Sequence, residues 1–148
     1  MSKTLLTTLI LIIFQLSAFS PIETITVHWK TIDDKDGTEK SVVFIFKATN
    51  GKYYGKIEKL FKDSARLCPE CEGKNHNKPI TGLLIINNMS LRNDVLTGGT
   101  ILDPATGKIY NCHISYDVAT GKLTVRGSLD KKGWIGRSQI WSKYSVSE

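Results

Sequence analysis

The sequence predicts an all-β fold, an antiparallel up-and-down barrel of about eight strands, on three observations. Turn signals recur at short intervals, and the apolar residues between them alternate with a two-residue period. Strand-length segments follow one another in a simple meander, interrupted by one long loop that holds two of the chain's 3 cysteines. Closing such a meander into a barrel removes its exposed edges; a β-sandwich is the alternative.

The chain opens with MSKTLLTTLILIIFQLSAFS, in which Lys3 precedes an apolar run from Leu9 to Phe14, and Ser17, Ala18 and Ser20 offer small residues to a signal peptidase. Residues 1–20 therefore read as a secretory signal peptide and 21–148 as a single β-barrel domain. The apolar run is shorter than the ~20 residues of a membrane-spanning helix. No later segment is longer or more apolar, so the mature protein is expected to be exported, periplasmic or secreted, and not membrane-spanning. Its ~128 residues are enough to bury a core without many disulfides.

The first strand is expected at 25–32, where Ile25, Val27 and Trp29 share one face and His28 and Lys30 take the other. DDKDGT (33–38) then turns the chain, because aspartate side chains bond their own backbone and Gly37 supplies a left-handed residue. SVVFIF carries the second strand (41–47), apolar on both phases, with Phe44 assigned to the interior; TNGK (49–52) leads to the third, 52–58. Residues 56–67 leave room for a helical turn starting near Leu60. The polar loop RLCPECEGKNHNKPITG (66–82) precedes the fourth strand at 83–87, and a fifth is expected at 98–102. DPATGK (103–108) and DVATGK (117–122) bracket the sixth strand, 108–116, whose Tyr110, Cys112, Ile114 and Tyr116 fall on one face with Asn111, His113 and Ser115 opposite. Leu123 and Val125 continue the inward pattern in the seventh (122–128). After DKKG (130–133), Arg137 and Trp141 share a face of the eighth, 137–144.

Five segments, WKTIDD (29–34), CPECEGKNHNKPITGL (68–83), GGTILDPATGKIYNC (98–112), LTVRG (123–127) and GRSQIW (136–141), together resemble the bacterial exported family known as domain of unknown function 2147. The resemblance covers essentially the whole mature chain and implies no particular activity, substrate or cofactor. Val27 stands where that family usually has Gly, and Leu96-Thr97 where it has an aromatic residue. A second similarity, to lipocalin-like (calycin) barrels, implies that Trp29 packs under Arg137 to close one end of the barrel. A cation–π contact of Arg137 with Trp29 or Trp141 would serve that purpose.

A barrel of this size can hold one small ligand. The candidate ligand-binding residues are the inward Trp29, Phe44, Tyr110 and Tyr116 together with Trp141 and Arg137; Arg137 and Lys56 would meet an acidic head group. The expected function is non-enzymatic binding of a small apolar or amphipathic, lipid-like ligand of the cell envelope. The alternative is a structural or interaction module of the envelope, with a contiguous outer patch at Lys52, Lys56, Lys59 and Lys62. Net charge is +6 from 20 basic and 14 acidic residues, and losing Lys3 with the leader leaves +5. That balance suits an anionic envelope component, while export removes nucleic acid from the expected partners.

The cysteines admit a third class, a zinc or thiol-dependent protein. Two thiolates spaced as Cys68 and Cys71 can reach one zinc ion, with Cys112 and His76 as further ligands; zinc is thus the alternative to no cofactor. A thioredoxin-like site needs a helix after its first cysteine, which Gly73, Asn75, Asn77 and Pro79 oppose. In an oxidising compartment the default is a disulfide. Loop entropy favours Cys71–Cys112 at ~4 kcal/mol over Cys68–Cys71 at ~2 kcal/mol, with Cys68 as the alternative partner. Asp33, Asp34 and Asp36 fit turn chemistry better than a calcium loop, and Asn88-Met89-Ser90 matches a common glycosylation triplet. With no nucleophile elbow or phosphate-binding glycine loop, no catalytic residue is assigned.

Overall fold

The computed structural model describes residues 21–145, so the expected signal peptide lies outside the described residues. A 3-10 turn at Pro21–Ile25 leads into β1 (His28–Ile32), β2 (Glu39–Lys47) and β3 (Tyr53–Leu60). After the long loop, which contains a second 3-10 turn at Gly73–Asn75, come β4 (Leu84–Arg92), β5 (Val95–Leu102), β6 (Ile109–Asp117), β7 (Lys122–Ser128) and β8 (Gly136–Lys143). Each strand pairs antiparallel with the next, and β1 pairs with β8, so the sheet closes into an up-and-down barrel rather than a sandwich.

The turns form for the reasons their residues suggest. In two successive hairpins the same Asp-x-Ala-Thr-Gly chemistry repeats: Asp103 accepts the Ala105 N–H at 2.9 Å, and Asp117 accepts the Ala119 N–H at 2.9 Å. The Thr106 and Thr120 hydroxyls donate to the same carboxylates, and Gly107 and Gly121 close the turns at φ 71° and 67°. Asp and Gly are suited to these places because one bonds locally and the other has no Cβ. The β4–β5 hairpin was not visible in this way. Its two-residue turn is Asn93-Asp94, both left-handed at φ 47° and 60°, so β4 and β5 run several residues beyond the expected 83–87 and 98–102. The helical turn expected near Leu60 does not form, because β3 continues through that residue.

Alternation places Trp29, Val43, Ile45, Tyr53, Ile86, Met89, Leu96, Ile114 and Leu123 in the core. The end where β1 begins is plugged by the first 3-10 turn, whose Ile22 and Ile25 are buried. There the Trp29 indole N–H donates to the Ile25 carbonyl at 2.8 Å, and its ring meets the edge of Tyr116 at 6.2 Å. A buried indole needs such a partner for its N–H, which fixes the turn against the first strand. Phe44 departs from expectation. Val43 and Ile45 occupy the interior, so Phe44 faces outward and stacks on His28 at 4.7 Å, continued by Phe46 at 5.8 Å and Tyr54 at 5.9 Å. A strand apolar on both phases gives alternation nothing to choose by, and here the outer set forms an aromatic row instead of lining the barrel.

Candidate ligand site

Four connections surround the opposite end of the barrel: 33–38, 61–83, 103–108 and 129–135. Between them lies a cavity of about 760 Å³. Inward positions of the strands give its apolar walls, Ile57, Ile85, Ile101, Tyr110, Val125 and Trp141. The long loop contributes Ile80 and Arg66. Few polar groups enter: the Thr31 and Ser41 hydroxyls bond each other at 2.8 Å, and the Gln139 side chain accepts the Trp141 indole N–H at 3.1 Å. Charge gathers at the lip, with Lys40, Arg66, Lys108 and Arg137 beside Asp33 and Asp103.

Of the residues singled out in the sequence, Tyr110, Trp141 and Arg137 border this cavity. Trp29 and Tyr116 point inward but fill the plugged end, and Phe44 lies on the outer wall. The expected stacking of Arg137 on Trp29 or Trp141 is replaced by an ion pair. Its Nε and Nη2 donate to the two carboxylate oxygens of Asp34, tying β8 to the β1–β2 turn. The bond from Arg137 holds the Asp34 carboxyl below the ordinary carboxylate range. Lys56 also lies away from the cavity, its Nζ 3.3 Å from Glu58, which accepts from His28 at 2.7 Å. The lysine patch expected outside is divided as well: Lys52 donates to Ser90, and Lys59 sits over the rings of Phe61 and Tyr144 at 5.2 and 5.9 Å.

The cysteine pairing corrects the sequence expectation. Cys68 and Cys71 form the disulfide, with a Cα separation of 5.3 Å, and Cys112 is a free, buried thiol. Cys71 is taken by Cys68 and so is not available to Cys112, and the loop is seated on the β5–β6 turn, where Cys68 Sγ lies 3.3 Å from the Pro104 carbonyl. Gly107 accepts the loop so closely that a Cβ there would fall 1.7 Å from the Glu70 carbonyl. Loop entropy counts only the freedom of the unfolded chain; where the sulfurs sit in the fold decides which bond forms. The same geometry takes two thiolates from the candidate zinc set. The sulfurs of Cys68 and Cys71 are bonded to each other, and the His76 ring faces the Cys71 carbonyl through Nδ1 at 3.1 Å and Asn77 through Nε2. Burial pushes the Cys112 thiol up to about 12. Among the described residues no three or more His, Cys, Asp or Glu gather to hold a metal ion.

Gln139 was legible by phase, standing between Arg137 and Trp141 on the same strand face. Arg66 and Ile80 carried no signal, since a loop has no period to place them. No helix of the described residues is long and apolar enough to cross a membrane.

Three comparisons bear on this arrangement. A family model described as "Uncharacterized protein conserved in bacteria (DUF2147)" matches residues 28–143. Among solved structures, HP1028 from the human pathogen Helicobacter pylori, described as belonging to the lipocalin family, superposes with a TM-score of 0.71 at 21% identity, over 82% of this chain and 83% of that one. Likeness at that identity shows the fold alone, a lipocalin-like barrel. No curated protein matches.

Proposed function

This chain belongs to the DUF2147 family of proteins conserved in bacteria, and on that premise we propose that it is an exported, non-enzymatic binding protein that takes a small apolar or amphipathic ligand into its barrel mouth. The observation that carries the reading is the cavity. Its volume of about 760 Å³ lies inside the range of roughly 300–1,000 Å³ that small-molecule sites occupy. Apolar depth and a charged lip match a molecule with an apolar body and an acidic head. Ile57, Ile85, Ile101, Tyr110, Val125 and Trp141 would surround the body, and Arg66 and Lys108 would meet the head, since Lys40 and Arg137 are engaged by Asp33 and Asp34. Export is supported by the leader-like residues 1–20 and by a Cys68–Cys71 disulfide, a bond that persists in oxidising compartments.

A fluorescent stearate probe and a variant that fills the cavity test this. Gly127 lines the cavity, and a Cβ there would make ordinary contact with Ile101 at 3.4 Å and Tyr110 at 3.5 Å. The backbone at this position thus has room for a Cβ, and Gly127→Leu would project the rest of its side chain toward the space. The native protein should bind the probe one to one, and the variant about tenfold more weakly or worse with an unchanged circular dichroism spectrum. Absence of probe binding by the native protein, or equal binding by Gly127→Leu, rejects the reading.

A further inference from the structure

The β7–β8 connection, residues 129–135, exposes apolar side chains to an unusual degree for a loop held so firmly. Leu129 is 71% exposed, Trp134 77% and Ile135 64%. Flexibility does not account for this. The Asp130 carboxylate accepts the backbone N–H groups of Trp134 at 3.0 Å and Ile135 at 2.7 Å, and Arg126 donates to the carbonyls of Gly133 and Trp134. The Leu129 N–H also donates to the Ile135 carbonyl at 2.8 Å. Exposed apolar groups on a rigid tip mark an interaction site rather than a loose end.

Three features identify the partner. The tip borders the cavity, since Leu129 and Ile135 both line its mouth. Its charge is basic on the outside: Lys131 and Lys132 are exposed, whereas Asp130 is turned back onto the loop's own backbone. Lys132 Nζ stands 5.0 Å over the Trp134 ring, joining an aromatic face to an ammonium group that can stay in water while the ring is covered. A tryptophan, two aliphatic side chains and two lysines suit the boundary between acyl chains and acidic head groups.

We propose that the β7–β8 loop docks the barrel mouth onto the surface of an anionic lipid bilayer, with Leu129, Trp134 and Ile135 entering the interface and Lys131 and Lys132 meeting the head groups. Docking in this pose sets the cavity opening against the lipid phase, so a ligand would pass between bilayer and barrel without crossing water. That last clause rests on the binding function proposed above; the docking itself does not.

Flotation with unilamellar vesicles, of phosphatidylcholine alone or mixed with phosphatidylglycerol, tests the proposal. Trp29 and Trp141 are both 1% exposed, so Trp134 serves as the natural fluorescence reporter. The protein should float with the phosphatidylglycerol vesicles, shift its emission to the blue, and release as salt rises. Lys131→Glu with Lys132→Glu should weaken binding by about fivefold or more per lysine. Trp134→Ser should abolish the shift and weaken flotation, while Val118→Ser, an equally simple change at a residue 66% exposed on the far end of the barrel, should leave both intact. The proposal is overturned if the native protein does not float with anionic vesicles, if Trp134→Ser binds as well as native, or if Val118→Ser loses as much. It is equally overturned if Trp134 is covered in solution by a second copy of the chain, seen as a dimer that Trp134→Ser dissociates. The cavity-filling Gly127→Leu protein should still dock, which separates failure of docking from failure of ligand binding.

Discussion

Cys112 is a thiol with no exposed surface, and burial raises its pKa to about 12. Because the thiolate is the reactive form, folded protein should not react with a thiol-titrating reagent at about pH 8. Unfolding in urea without reductant should release one thiol, and adding reductant all 3. Peptide mapping that found Cys71 joined to Cys112 would contradict the ring of Cys68 and Cys71. The carboxylates respond to acid in a defined direction. Asp34 is lowered by Arg137, Asp117 by Thr120 and its neighbouring N–H groups, and Asp130 by the N–H groups of Ile135 and Trp134, all from an ordinary value of 3.8. A carboxyl more acidic when folded stabilises the protein above its unfolded pKa and ceases to as pH falls through the folded one. Thermal melts should therefore be flat from neutral pH to about 5 and fall below about 4.

At the scale of elements, β4 and β5 approach each other closely at Gly99. A Cβ there would lie 2.1 Å from the Asn87 carbonyl and 2.6 Å from Met89 Sδ, so β4 and β5 would have to part. Gly99→Ala should cost about 2 kcal/mol or more in urea unfolding, while the roomier Gly127→Ala should cost well under ~1 kcal/mol. These elements were unequally legible. Hairpins built on Asp and Gly announced themselves, because side-chain bonding and a missing Cβ are properties of the residues. The Asn93-Asp94 turn did not, since no glycine marks it and the flanking strands continue through residues of mixed polarity. Phe44 faces opposite to expectation because its strand offers apolar residues to both faces, and on the outer face it stacks in a row with His28, Phe46 and Tyr54.

The whole molecule divides into a solid end and an open one. Alternation revealed the depth of the open end, at Tyr110 and Trp141, because a closed barrel turns every second residue inward. Its lip was hidden, since Arg66 and Ile80 come from a loop whose path is set by the Cys68–Cys71 ring and by its seat on Gly107. The seam between β1 and β8 gives this architecture a direction in time. Among the described residues its ladder joins Trp29 to Lys143 and Lys30 to Ser142, reinforced by the Asp34–Arg137 pair, 103 residues apart in sequence. All other strand pairings join neighbours along the chain. Hairpins can therefore assemble one after another, whereas closure waits for the eighth strand and bears the largest loop-closing entropy. Until that strand arrives the chain is a curled ribbon with two free edges and no enclosed mouth. The enclosed mouth is thus the last part of the molecule to exist, made only when β8 meets β1.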